Sequence, residues 1–435
     1  MTTLVSDLEL PDLTEETAAH RPNAARRNGT AAPDTPPVAT QPATGVDADR
    51  HAALALEMKL VADGEWLARA PLGYLVLRHG DVARMLRDSR WHSAVGLAAQ
   101  MQGFDDPEWE QRRRSGILTA EGDTHMRLRR IVSPAFTPRT ADRLRPFMRD
   151  VVNELLDPVC ERGSAEFVSE VCEPYPIPII CEMLGAPRSD WELFSRLAVD
   201  IFRIFNSNIA EDAPKIMAAE SELDAYMRAL VDERRKSPGD DLLSDMIAAE
   251  SDGDRLSTDE LIMMANALLL AGTDTTRNQL GCAVALLTKH PDQLKLLAAQ
   301  PELAKGATEE VMRCLGAVRG TARFASVDIE YRDVVFPKGT LIFPSFSAAN
   351  HDADEFADPL RFDITRRSSV PHMTFSSGIH YCLGAFLARA ELAEALTVIA
   401  RRMPGLRTAG EIVWKPLRVG IWGPEELPVE FAAGH

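Results

Sequence analysis

The run "STDELIMMANALLLAGTDTTRNQLGCAVALLTKH", Ser257 to His290, reads as one long helix, and so apolar a helix belongs in the interior of a fold. Ser257 and Glu260 open it as a capping box, each side chain serving the other's backbone N–H. Its apolar stretch, "LIMMANALLLAG" from Leu261, is too short to span a bilayer and contains Asn266. The chain therefore reads as soluble. The centre of the helix is chemically odd: "AGTDTT", Ala271 to Thr276, puts a glycine and threonines where a buried helix favours neither. This composition predicts a local opening of the hydrogen-bond ladder, with Thr275 turned to a ligand and Asp274 relaying protons. Packing, or back-bonding of the threonines to the preceding turn, is the plain alternative.

A second stretch, "FSSGIHYCLG" from Phe375 to Gly384, sets one cysteine apart. Gly378 and Gly384 flank Cys382, His380 lies two residues before it, and Leu383, Phe386, Leu387, Ala390, Leu396 and Ile399 continue at helical spacing. A thiolate at a helix start meets unpaired N–H groups and the positive dipole end, which stabilise it. The glycines let the backbone approach a flat cofactor, and His380 reaches an anionic edge of it. Haem iron bound by a single cysteine thiolate fits this arrangement. A buried free cysteine beside a helix cap is the other reading.

Composition narrows the rest. The chain has 435 residues, 45% of them hydrophobic, and a formal net charge of −17, which argues against a general nucleic-acid binder. Its six cysteines, Cys160, Cys172, Cys181, Cys282, Cys314 and Cys382, form no CxxC pair, disulfide framework or zinc pattern, and they read as reduced thiols in a cytoplasmic protein. The acidic start "MTTLVSDLELPDLTEETAAH" does not look like a signal peptide. "NGTAAPDTPPVATQPATG", Asn28 to Gly45, reads as a disordered tail, and residues 1–47 are assigned to it. Beyond it, "YLVLRHG" (Tyr74 to Gly80) reads as a strand, and helical patterns dominate from Met126 to Leu315. "VDIEYRDVVFPKGTLIFPSF" (Val327 to Phe346) then reads as short strands and turns. The expectation is a mainly α fold with a small β part.

These motifs together resemble the cytochrome P-450 superfamily, the haem-thiolate monooxygenases, in a bacterial form. Phe375, Gly378, His380, Cys382 and Gly384 match the family's haem loop, with Ser376 where glycine is usual; Ala271, Gly272, Asp274 and Thr275 match its distal-helix signature. Glu310 and Arg313 in "EEVMRCLG" match its E-x-x-R pair. The resemblance implies one catalytic domain over residues 48–435, with haem b held between the long distal helix and the cysteine loop and its helix. It implies Cys382 as the iron ligand, and Thr275 and Asp274 as the proton-delivering pair. His125 and Arg129 in "HMRLRR", Arg323 and His380 are implied as partners of the haem propionates. Arg361 in "DPLRF" is implied as the third member of a buried network with Glu310 and Arg313.

The implied activity is O2-dependent monooxygenation of a small, largely apolar molecule such as a lipid, terpenoid, polyketide or aromatic compound. Electrons are expected from a ferredoxin and its NAD(P)H-dependent reductase, since the chain carries no flavin or iron–sulfur signature. A peroxide-driven enzyme and a haem-binding sensor are the alternatives. The resemblance walls the pocket with "SAVGLAAQMQGFDDPEW", the helices near "DIFRIF", Val318, Arg319 and "GIWGPEE". Arg319 reads as a surface ion pair, with a substrate carboxylate as its other possible partner. Arg127 and Arg130 read either as a ferredoxin-steering patch or as internally paired.

Overall fold

The computed structural model describes residues 3–11, 55–97, 104, 106–114, 116–205, 209–251, 256–415 and 421–434. The segment Asn28–Gly45, read as a tail, lies outside the described residues.

The chain begins with β1 (Thr3–Leu4), β2 (Leu67–Ala70), β3 (Gly73–Val76), α1 (His79–Arg87) and β4 (Trp91–Ser93). A helical region follows: α2 (Pro107–Arg114), α3 (Gly122–Val132), α4 (Pro138–Arg162), then strand β5 (Ser164–Glu166), α5 (Pro176–Leu184), α6 (Trp191–Ile201), α7 (Ile209–Lys236) and α8 (Leu242–Ser251). The long helix is α9 (Thr258–Lys289), succeeded by α10 (Pro291–Ala299) and α11 (Ala304–Cys314). Strands β6 (Arg323–Ala325), β7 (Ile329–Tyr331), β8 (Val334–Phe336) and β9 (Leu341–Pro344) precede the short α12 (Phe346–Ala349). After α13 (Ala385–Arg402) come β10 (Arg407–Thr408), β11 (Val413–Trp414), β12 (Pro424–Glu426) and β13 (Pro428–Glu430).

Local chemistry sets the ends of these elements. Thr137 caps α4 by accepting from the Thr140 N–H, Pro138 occupies the first turn, and Gly163 ends the helix at φ 70°. The capping box of Ser257 and Glu260 opens α9 as expected. That helix runs 32 residues, about 48 Å at 1.5 Å per residue, without interruption. The expected opening at Ala271–Thr276 is therefore absent. Leu261, Ile262, Ala265, Leu268, Leu269, Leu280, Val284 and Leu287 are buried on several faces of α9, which packs against α5, α7 and α13. In turn α13 lies along α4 and α11. This helical core holds most of the buried apolar side chains.

The β part forms a five-stranded sheet in the order β2-β3-β9-β6-β4, with smaller sheets β1-β8-β7, β10-β13-β5 and β11-β12. The turn between β7 and β8 places Arg332 and Asp333 at φ 50° and 59°. Thr3–Pro11 departs from the expected tail. Its β1 pairs in parallel with β8, the Arg69 N–H donates to the Pro11 carbonyl at 2.8 Å, and Val5 is buried with Ile329 and Phe336. Leu8 and Leu10 pack against the same cluster, so backbone pairing and three apolar contacts hold this segment. Among the described residues no helix is long and apolar enough to cross a membrane.

Candidate functional site

The cysteine loop lies between the C-terminal end of α1 and the start of α13. Gly378 sits at φ 72°, and a Cβ there would come within 2.1 Å of the Leu86 carbonyl oxygen. Its glycine is required by packing on α1, rather than by the approach of a cofactor. Gly384 differs, because a Cβ there would meet no atom of the chain within 4 Å. Ser376, where the family's loop carries glycine, adopts φ 64°. Half-buried Cys382 donates its N–H to the Phe375 carbonyl at 2.9 Å. Burial pushes its thiol pKa up, opposed by the Gly384 N–H and the charges of Arg129 and Arg389. The Phe375 ring carries the Arg389 guanidinium at 4.4 Å. Arg389 in turn grips Glu309 at 2.6 and 3.0 Å.

Beside this loop the fold gathers cations with almost no anion to match them. His125 and Arg129 occupy successive turns of α3, and Arg323 enters from β6. Arg323 is 4% exposed and, among the described residues, donates to Thr321 Oγ1 at 2.8 Å and the Ala322 carbonyl at 2.9 Å and to no carboxylate. Burial pulls its pKa down to about 10. His125 is 2% exposed, neither ring nitrogen has a hydrogen-bond partner among the described residues, and burial, with the charges of His380 and Arg129, holds its pKa at about 4. Its ring lies 4.4 Å from that of His380. Arg129 is also lowered by burial, with the Cys382 sulfur as its opposing neighbour. The anion in this group is Glu121, at the N-cap of α3. Its Oε1 accepts from the Ser93 N–H at 2.6 Å and from His380 Nε2 at 3.1 Å.

Buried cations and orphaned imidazole nitrogens are unfavourable unless anionic acceptors meet them. A flat group with two carboxylates, lying along the cysteine loop, supplies those acceptors. The residues present therefore fit haem. The structure brings His125, Arg129, Arg323, His380 and Cys382 into one neighbourhood, which their spread along the chain does not itself reveal.

On α9, Thr275 donates to the Ala271 carbonyl at 2.7 Å, the local back-bond that leaves the helix intact. Ala271 is exposed. Gly272 has a packing reason, since a Cβ there would lie 3.1 Å from Ile180 on α5. Asp274 is buried and ion-paired to Arg277 at 2.5 Å, with Lys415 Nζ 3.9 Å away. Arg277 also reaches Glu173 at 3.6 Å. One residue on, Thr276 donates to the Glu391 carboxyl at 3.0 Å, joining α9 to α13.

The Glu310 network forms with a different third member. Arg313 donates to both Glu310 oxygens at 2.8 and 2.9 Å, and Arg366 Nε meets Glu310 Oε1 at 2.9 Å. Arg361 instead turns its side chain to solvent, 68% exposed, beside Asp363 at 3.4 Å. What Arg361 presents inward is its carbonyl, which accepts from Arg313 and Arg366. The loop turns at Asp358, φ 46°, whose carbonyl accepts from the Arg361 N–H at 3.0 Å. Arg319 is likewise no surface ion pair. It is enclosed near Glu57, donates to Ser347 Oγ at 2.9 Å and lies over the Trp422 ring. Arg127 is paired with Glu260.

Of the expected pocket walls, residues 98–103, 105 and 420 lie outside the described residues. The remainder converge in part: Trp109 of α2 packs with Ile209, Ala213 and Ile216 of α7, with Phe104 and Ile204 against them. Arg112 fastens α2 to α7 through Asp224 at 2.6 and 2.8 Å and Glu220 at 3.2 Å. Val318 pairs with Ile421 across a single bridge. The residues that sequence reasoning passed over are Glu121, Arg366, Glu391, Arg277 and Lys415. Only Arg366 left a signal, the second arginine-bearing run "TRRSS" shortly after "DPLRF".

The family described as cytochrome P-450 matches residues 189–300 and 299–403. Luteothin monooxygenase from Streptomyces thioluteus is 35% identical over 87% of this chain and 93% of its own length. Mycinamicin IV hydroxylase/epoxidase from Micromonospora griseorubida is 36% identical over 83% and 91%. The crystal structure of CalO2 superposes with a TM-score of 0.83 at 31% identity, covering 90% of this chain and 98% of the other. The chain belongs to the cytochrome P-450 family, as a monooxygenase whose cofactor is haem b.

Proposed function

We propose that Cys382 is the axial thiolate of the haem and that His125, Arg129, Arg323 and His380 receive its propionates. The observation that carries this reading is the buried, under-neutralised cation group beside the cysteine loop. Bound haem supplies oxygen activation, through which one oxygen atom of O2 enters the substrate. The chain's own residues orient that chemistry. The Gly384 N–H and nearby guanidinium groups temper the sulfur charge. Asp274, held by Arg277, and the Thr275 hydroxyl form the pair that relays protons taken up from solvent.

The substrate is a small, largely apolar molecule, in keeping with the apolar contact between α2 and α7 and with relatives named for luteothin and mycinamicin IV. Electrons come from a ferredoxin and its reductase. The presence of Asp274 and Thr275 favours this supply over peroxide, which needs no proton pair.

The test is the carbon-monoxide difference spectrum of the reduced protein. Cys382→Ala should abolish the red-shifted Soret band, whereas Cys314→Ala should leave it. An unchanged band in Cys382→Ala would assign the thiolate to another cysteine.

A further inference from the structure

We infer that Glu121 is a positioning residue of the haem site: one carboxylate oxygen sets His380 against Arg323, and its charge lowers the haem potential. The inference rests on the propionate reading above. Its ground is the geometry of a single atom. Glu121 Oε1 accepts from the Ser93 backbone N–H at 2.6 Å and from His380 Nε2 at 3.1 Å. Ser93 lies on β4 directly across from Arg323 on β6. His380 belongs to the short helical turn that leads into Cys382. Glu121 itself occupies the N-cap position of α3, the helix that carries His125 and Arg129, so its backbone ties this carboxylate to that helix.

One oxygen thus joins the three elements that supply the cation group. Among the described residues, Glu121 Oε1 is a hydrogen-bond acceptor shared by the cysteine loop and β4. Charge-assisted hydrogen bonds are short and directional, so the joint fixes orientation as well as distance. The charge has a separate effect. Glu121 lies close enough to influence Arg323, His125 and His380 electrostatically, and these are the groups assigned to the haem carboxylates. A fixed negative charge there disfavours the reduced haem, which carries one electron more than the oxidised form.

Two substitutions separate position from charge. Glu121→Gln keeps an oxygen acceptor for both donors but removes the charge. Haem transfer from this variant to apomyoglobin should stay within about twofold of wild type, while the midpoint potential moves positive. Glu121→Ala removes the strut, and its haem transfer should be faster by about tenfold, the order expected for losing a charge-assisted hydrogen bond. Arg323→Met serves as the reference for the underlying reading. Fast haem loss in Arg323→Met, with unchanged transfer in Glu121→Ala and an unmoved potential in Glu121→Gln, overturns the role of Glu121 and leaves the propionate site standing. Unchanged haem retention in Arg323→Met as well overturns both.

Discussion

Arg366 Nε lies 2.9 Å from Glu310 Oε1, closing a buried carboxylate that Arg313 already holds through both oxygens. The two arginines share one acid, and each also donates to the Arg361 carbonyl. Glu310, Arg313 and the loop from Pro359 to Arg366 therefore form one structural unit.

Removing Arg366 leaves Glu310 paired with Arg313 but strips the carboxylate of one charge-assisted hydrogen bond. Arg366→Ala should destabilise the protein by about 1.5–3 kcal/mol. Arg361→Ala, at an exposed side chain, should change stability by no more than about 0.5 kcal/mol. Chemical denaturation of the two variants decides the assignment. Equal losses would contradict it.

Thr275 makes its side-chain hydrogen bond within its own helix, so its hydroxyl can be removed with little structural effect. Thr275→Ala should bind haem and substrate nearly as wild type, but product formed per NAD(P)H should fall by roughly tenfold or more as reducing equivalents leave as hydrogen peroxide. Asp274→Asn should slow turnover through the same pair and also loosen Arg277. Measured coupling equal to wild type in Thr275→Ala would remove Thr275 from the proton path.

Much of the site was legible where the signal was local. The capping box at Ser257 and Glu260 needs only four adjacent residues, and it appears as read. The cysteine loop before α13 was equally plain, because glycines, a histidine and a helix start crowd into one stretch. Legibility failed where tertiary context chooses between like residues. Arg361 and Arg366 are both arginines of one loop, and the folded path of that loop decides which side chain faces Glu310. Thr273 and Thr275 of α9 satisfy themselves by back-bonding and Thr276 bonds to Glu391, so a composition that suggested an opened ladder left it closed. Arg319 was read from average exposure, but the helix over 55–62 brings Glu57 to it. Glu121 carries no periodic or motif signal at all. Its importance exists only once β4, α3 and the cysteine loop meet.

Ser376 occupies φ 64°, a conformation that costs an L-residue with a Cβ about 1–2 kcal/mol, and its buried hydroxyl has no hydrogen-bond partner among the described residues. Ser376→Gly relieves both, against an entropic cost of about 0.4–1 kcal/mol in the unfolded chain. The variant should be more stable by about 1 kcal/mol, with an unaltered haem spectrum. A lower denaturation midpoint would show that the serine hydroxyl is engaged after all.

Glu391 offers a test through pH. It is buried on α13, with the Thr276 hydroxyl donating to it and the Tyr175 hydroxyl donating to its backbone carbonyl. Burial pushes its carboxyl pKa up to about 8, only partly opposed by the Thr276 hydrogen bond. The native state thus favours the protonated acid, while the unfolded chain titrates near the ordinary value of 4.5. A carboxyl raised in this way contributes its full stability below the unfolded pKa. That contribution is lost as pH rises through the window from 4.5 to about 8. Glu391→Gln presents the same acceptor to Thr276 but cannot ionise. Wild type should therefore lose stability relative to Glu391→Gln across this window, by at most about 1.4 kcal/mol per pH unit. At pH 8 the variant should be the more stable protein. Denaturation of both at a series of pH values, with haem retention followed by absorbance, gives the comparison. Parallel curves would mean that Glu391 is ionised in the fold, and that the α9–α13 joint is a charged rather than a neutral hydrogen bond.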